Sequence, residues 1–432
     1  MFSNRIFTVR GAAGRLAELG AVWPRRLASA LGAVLIGLVA LAFAAGADFV
    51  QRMFNAAAHH SLWVAVVAPP LGLTLIAWLT RKWLSPARGS GIPQVVLAAR
   101  DPANSVRSGL VSLRTGAAKL LLGLGALAVG ASAGREGPTV QVAASLMTTM
   151  HRVLRVPLTP GVIIAGGAAG VSAAFNTPLA GVAFAIEELA AAYEQRLTLL
   201  VMAAVMIAGL VSLGLAGDYY YFGVVHDALP LSAAIVVAPI SGAVGGFCGG
   251  LFSRLLLALS APAGAAGRMV KAHPVLWALA CGLVVAVVGL ATNGATWGTG
   301  YEAARALIGA HDAAPWFAPA KFAASLATAA SGVPGGVFAP SLATGAGIGD
   351  LLAGLFPTYP HGPIVLLGMI AFFVGVVRAP LTGVVIVSEM TGAHALILPL
   401  FIAAIVADAA GALVCRQRLY HGLAQQIAGE KV

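Results

Sequence analysis

A chain of 432 residues that is 59% hydrophobic and only 9% charged cannot hide its apolar surface in a water-soluble fold. Soluble enzymes and binding modules are thereby excluded, leaving a polytopic membrane protein in which 53 glycines and few aromatics suit closely packed helices. The net charge of +11 does not point to nucleic acid, because the basic residues gather between apolar segments and at both ends.

Residues 1–26 form a basic segment, with Arg5, Arg10, Arg15, Arg25 and Arg26 against Glu18. The apolar run that follows, 27–47, is longer than a signal-peptide core and reads as a membrane segment. Further runs near 62–80, 116–150, 161–186 and 197–216 complete a first membrane half, 27–216. Runs near 231–259, 275–292, 318–356, 363–377, 381–388 and 393–415 make a second, 231–415. Within it Gly242, Gly246 and Gly250 have the small-xxx-small spacing of helix contacts. The link between the halves, 217–230, has no Lys or Arg and carries Asp218, Tyr219, Tyr220, Tyr221, Phe222 and Asp227, the composition of an external loop meeting the aromatic belt. The tail, 416–432, has Arg416, Arg418 and Lys431 against Glu430, so both termini read as cytoplasmic. Cys248, Cys281 and Cys415 have no paired spacing and imply neither disulfide nor metal site.

The halves are related. Pro178-Leu179-Ala180-Gly181-Val182, ending in Glu187, matches Pro380-Leu381-Thr382-Gly383-Val384, ending in Glu389, at an offset of 380 − 178 = 202. The same offset carries Lys119 onto Lys321, Gly134 onto Gly336, Pro138 onto Pro340 and Gly166 onto Gly368. A shift of 209 relates Gly89-Ser90-Gly91 to Gly298-Thr299-Gly300. With both termini inside and the link outside, each half crosses an odd number of times, which makes the repeat an inverted one with its site at the midplane.

Gly134-Arg135-Glu136-Gly137-Pro138 sets a carboxylate inside apolar sequence. Residues 120–134 and 137–150 carry no charge, yet each is shorter than the about 20 residues a span needs. Two half-helices broken at the glycines and proline would leave Glu136 near the midplane, where an ionisable residue marks function. Similar breaks occur at Gly89-Ser90-Gly91-Ile92-Pro93, at Phe175-Asn176-Thr177-Pro178 and at Gly335-Gly336-Val337-Phe338-Ala339-Pro340. A helix starting inside the membrane offers free N–H donors and the positive end of its dipole, and several together make an anion site.

GSGIP at 89–93, GREGP at 134–138, FNTPLAG at 175–181, GGVFAP at 335–340 and SEMTG at 388–392 resemble the CLC family of chloride channels and chloride/proton antiporters, over roughly residues 25–423. The resemblance implies an all-helical inverted repeat with broken helices and a homodimer with a separate pathway in each subunit. It also implies exchange of chloride for protons in a bacterial inner membrane, without cofactor or metal. It makes Glu136 the external gate and Glu188 the internal proton acceptor. Ser90 and Tyr420 would supply hydroxyls to the anion, and Val337 and Phe338 backbone N–H groups. Gly89, Gly91, Gly134, Arg135, Gly137, Pro138, Gly335 and Gly336 support the motifs. Many relatives carry acids where this chain has Gln94 and Val96, a departure that falls on the inner water path. Only 17 residues follow Cys415, so no regulatory domain and no nucleotide partner are expected.

Other readings accompany these. From the residues alone Ser90 is a helix cap, Tyr420 an interfacial anchor, Asn176 a cap, and Lys119 and Lys321 are snorkelling or paired structural cations. Glu187, repeated as Glu389, is a structural ion pair or cap, whereas Glu188 and Glu136 face Met390 and Phe338 in the other half. An uncoupled channel is the nearest functional alternative. A fluoride exporter is set back by Ser90, because the fluoride branch usually lacks serine there. Gly130-Ala131-Ser132-Ala133-Gly134 also fits the nucleophile motif of an intramembrane serine hydrolase with His151 downstream, the least favoured alternative because no strand leads into it.

Overall fold

The computed structural model describes residues 9–189, 195–217, 220–261, 264–310 and 314–429. Arg5, Asp218, Tyr219, residues 190–193, Glu430 and Lys431 lie outside them. The first half comprises α1 (Val9–His60), α2 (Leu62–Trp83), α3 (Ile92–Arg100), α4 (Pro102–Arg107), α5 (Leu113–Ala128), α6 (Glu136–Val153), α7 (Pro160–Phe175), α8 (Pro178–Phe184) and α9 (Gln195–Ala216). A wide helical turn, Ala185–Leu189, extends α8. The second half comprises α10 (Leu231–Ser260), α11 (Ala265–Ala272), α12 (Pro274–Ala291), α13 (Tyr301–Ile308), α14 (Phe317–Ser331), α15 (Phe338–Ala353), α16 (His361–Val377), α17 (Pro380–Thr391), α18 (Ile397–Val414) and α19 (Leu419–Gly429). Six of these elements contain stretches long and apolar enough to cross a membrane, and α7, α16 and α17 are shorter apolar helices.

The repeat runs further than the motifs show. The starts of α6 and α15 (338 − 136) and of α8 and α17 (380 − 178) differ by 202, and α7 and α16 end at Phe175 and Val377 with the same difference. Pro178 and Pro380 open α8 and α17 at the first helical position, where a missing N–H is harmless. The residues closing α7 and α16, Asn176 and Arg378, both take the left-handed conformation, with φ of 57° and 65°. Asn176 is thus a cap, as its sequence suggests.

Gly134 and Gly336 exchange both backbone hydrogen bonds as an antiparallel bridge, 2.7 and 2.8 Å. Equivalent residues pairing reciprocally place a local two-fold axis between the halves. Close packing elsewhere follows the small residues: Gly242 meets Ala403, Gly246 meets Ala407 and Gly250 meets Gly411, seating α10 on α18. α7 and α16 are buried along nearly their whole length, and so form the protein's centre.

Two expectations need correction. The half-helix expected up to Gly134 stops at Ala128, leaving an irregular stretch before α6 begins at Glu136. The first span runs as one helix through Pro24, well beyond 27–47.

Candidate functional site

Three glycine-rich breaks meet backbone to backbone. Gly335 N donates to Gly89 O at 3.2 Å, beside the Gly134–Gly336 bridge. A Cβ at Gly137 would stand 2.5 Å from Ser90 Oγ and 3.1 Å from the Gly336 Cα, so only glycine allows this approach. The turns entering α3 and α13 are paired as well, Gly91 and Gly300 capping them at φ of 103° and 86°. Lys119 Nζ donates to Ala87 O (2.8 Å) and Gly89 O (2.5 Å), and Lys321 Nζ to Thr296 O (3.0 Å) and Gly298 O (2.9 Å). Both lysines are fully buried, so they brace the two turns and do not snorkel. Hydropathy alone cannot reveal such carbonyl partners.

Ser90, Val337 and Tyr420 line one cavity of about 430 Å³, together with Gln94 and the cations Arg81 and Arg88. Neither the Ser90 nor the Tyr420 hydroxyl has a hydrogen-bond partner. Ser90 does not cap α3, since Gly91 holds the cap position and no side chain bonds there. Tyr420 is fully buried, which rules out an interfacial anchor. Val337 and Phe338 form the start of α15, where the first N–H groups have no intrahelical acceptor. The Phe338 ring packs among Phe175, Phe184, Phe373 and Tyr420, with centroids 5.0–6.0 Å away.

Glu136 begins α6 and is fully buried. Its Oε1 accepts a short hydrogen bond from the Tyr301 hydroxyl, while Oε2 has no partner and crowds Gly134 beside the first turn of α15. Arg135 points the other way, donating to Ala44 O and Asp48 Oδ1 (both 2.7 Å) and to the Tyr221 hydroxyl (3.0 Å). Its guanidinium lies over the rings of Tyr221 and Tyr301, which stack with centroids 5.2 Å apart. The aromatic link therefore does more than meet an interface: Phe222 is buried against Tyr301, and Phe222 N donates to Met390 O at 3.4 Å. Sequence reasoning missed Tyr301, although it directly follows Gly298-Thr299-Gly300, the echo of the Ser90 turn.

Glu187 and Glu389 are reciprocal caps. Glu187 accepts from Leu381 N (2.9 Å), Thr382 N (2.7 Å) and the Thr382 hydroxyl (2.7 Å) at the start of α17. Glu389 accepts from Leu179 N (3.3 Å) and Ala180 N (2.9 Å) at the start of α8. The neighbouring Glu188 is 1% exposed and makes no such bonds. Its Oε1 lies 3.2 Å from His421 Nδ1, within ion-pair reach.

The nucleophile motif does not assemble. Ser132 Oγ pairs with Ser325 Oγ at 3.0 Å, while His151 is bonded to Met147 O (3.0 Å) and Ser29 Oγ (3.4 Å). Gln94 and Val96 prove to face different spaces, Gln94 the cavity of Ser90 and Val96 a second cavity of about 1210 Å³.

Broken helices whose N-termini converge on unpaired hydroxyls in an all-helical inverted repeat define a membrane transporter or channel for ions. The chain belongs to the voltage gated chloride channel family, whose model matches residues 72–412. Its fold is similar to a slow cyanobacterial Cl⁻/H⁺ antiporter at 21% identity, TM-score 0.82, covering 94% of this chain and 99% of that one. A eukaryotic CLC transporter is similar at 21% identity, TM-score 0.76, covering 94% and 74%. A CLC-type fluoride/proton antiporter matches at 22% identity, TM-score 0.74, covering 88% and 94%.

Proposed function

We propose that the protein exchanges chloride for protons, as a homodimer with one pathway per subunit, in a bacterial inner membrane with both termini cytoplasmic. One observation carries this reading: a buried carboxylate, Glu136, lies between the starts of α6 and α15, on the ground an anion would cross. Ionised, it competes with chloride for that ground; protonated, it gives way. Chloride is held further in by the Ser90 and Tyr420 hydroxyls and the N–H groups of Val337 and Phe338. Each helix end contributes about 0.3–2 kcal/mol and each hydroxyl about 1.5–3 to a charged partner. The one end of α15 and the two hydroxyls together suffice for the roughly 4 kcal/mol of millimolar binding. Glu188 takes protons at the side of the termini, and a small hydroxyl at Ser90 favours chloride over fluoride.

The decisive experiment reconstitutes the protein in liposomes and records both ions under a chloride gradient. Chloride should drive protons uphill. Chloride running down its gradient with no proton movement would make the protein an uncoupled channel.

A further inference from the structure

Glu188 does not itself line the cavity of about 1210 Å³, but its neighbour His421 does. The cavity lies among α1, α3, α6, α7, α9 and α19, and the N-terminal Arg25 and Arg26 share it with the C-terminal His421. No acidic residue occurs among the described residues lining it, only Arg25, Arg26, Arg100, His151 and His421. Arginines do not release protons in proteins. His151 is buried, with Nδ1 against Met147 O and Nε2 against Ser29. Near Glu188, Glu187 is engaged by α17, and Arg418 donates to Glu187 O at 3.3 Å. The other helices packed on α19, namely α3, α10 and α16, contain no acid. Of the described groups around the cavity, His421 alone both borders the open space and reaches Glu188.

Resting on the exchange reading above, we propose that His421 is the proton relay between this cavity and Glu188. The imidazolium passes its Nδ1 proton to Glu188 Oε1, which leaves a neutral ring carrying its remaining proton on Nε2 and a protonated carboxyl. A flip of the ring presents the emptied nitrogen to water in the cavity, which reloads it, and the reverse flip restores the starting geometry. Imidazole suits this task because it gains and loses protons near neutral pH.

The test compares wild type, H421Q and E188Q in liposomes, with chloride and proton fluxes recorded in the same vesicles. Chloride flux above that of empty vesicles shows that a variant has folded, and H421N serves if H421Q has not. The protons moved per chloride should fall about tenfold or more in H421Q, as for loss of a proton-transfer group. Free imidazole in both compartments should restore part of the loss, which a structural role for His421 would not allow. A wild-type ratio in H421Q beside a lost ratio in E188Q overturns the relay and leaves the exchange intact. A lowered ratio that imidazole does not raise also overturns it. Absence of proton movement in the wild type overturns both readings together.

Discussion

The two halves agree at the contacts that brace their broken helices and differ at the residues proposed to handle ions. Lys119 and Lys321 brace equivalent turns, Glu187 and Glu389 cap each other's half, and Gly134 and Gly336 bond across the axis. At the same offsets Glu136 faces Phe338, Glu188 faces Met390, and Tyr301 faces Ile92. Even the paired hydroxyls differ: Ser90 Oγ is unpartnered, whereas Thr299 Oγ donates to Gln51 Oε1 at 3.4 Å and its N–H to the same atom at 3.1 Å. The symmetric positions build a scaffold for buried helix ends. A single pathway needs its charge on one side only, and the residues proposed for it sit where the symmetry is broken.

The largest effect that would sharpen this contrast is at the gate. Glu136→Gln makes the first half as uncharged at this position as the second, so chloride flux should persist, lose its pH dependence and carry no protons. Uphill proton pumping by that variant, recorded in liposomes, would remove Glu136 from the exchange. Next comes the adjacent pair. Glu188→Gln should abolish proton coupling while chloride still moves, whereas Glu187→Gln and Glu389→Gln should each cost about 1–3 kcal/mol of stability through weakened helix caps. Thermal unfolding in detergent and paired flux assays separate these outcomes, and uncoupling by Glu187→Gln with normal transport by Glu188→Gln would reverse the contrast.

A smaller effect is expected at Tyr301→Phe. The Tyr301 hydroxyl holds the Glu136 carboxylate in the position the structure shows, so its loss leaves the carboxylate freer to move aside. Chloride flux should then rise by roughly fivefold, the loss of one hydrogen bond being worth about 1 kcal/mol. Unchanged flux in liposomes would show that the hydroxyl does not hold Glu136. The smallest change concerns selectivity. Ser90→Pro removes one donor of the four proposed for the anion and should raise nitrate relative to chloride severalfold, a factor of ten being about 1.4 kcal/mol. An unchanged nitrate-to-chloride ratio would take Ser90 out of the site.

Much of this was legible in the sequence because the scaffold is written locally. Gly and Pro mark the breaks, and an offset of 202 exposes Glu187 as half of a symmetric pair before any contact is seen. Tyr301 and His421 were not legible, for a different reason in each case. Tyr301 reaches Glu136 across 165 residues, and only its place after the second glycine turn hints at a role. His421 sits on α19, which no first-half helix matches at the 202 offset, so the repeat offers nothing to compare it with. The lysines were half legible: recurrence marked them as structural, but their carbonyl partners come from turns 23 to 32 residues upstream that only the fold brings close.

The exchanged caps also govern how the chain is assembled. Synthesis proceeds from the N-terminus, so the N–H groups opening α8 are exposed long before Glu389, 210 residues after Leu179, has been made. The Glu187 carboxylate waits in the same way for Leu381 and Thr382. The first half therefore enters the bilayer with its central helix ends unsatisfied, and it reaches its final packing only when nearly the whole second half has been inserted. Translation stalled between the halves would leave a chain with a strong tendency to borrow those missing groups from a neighbouring copy.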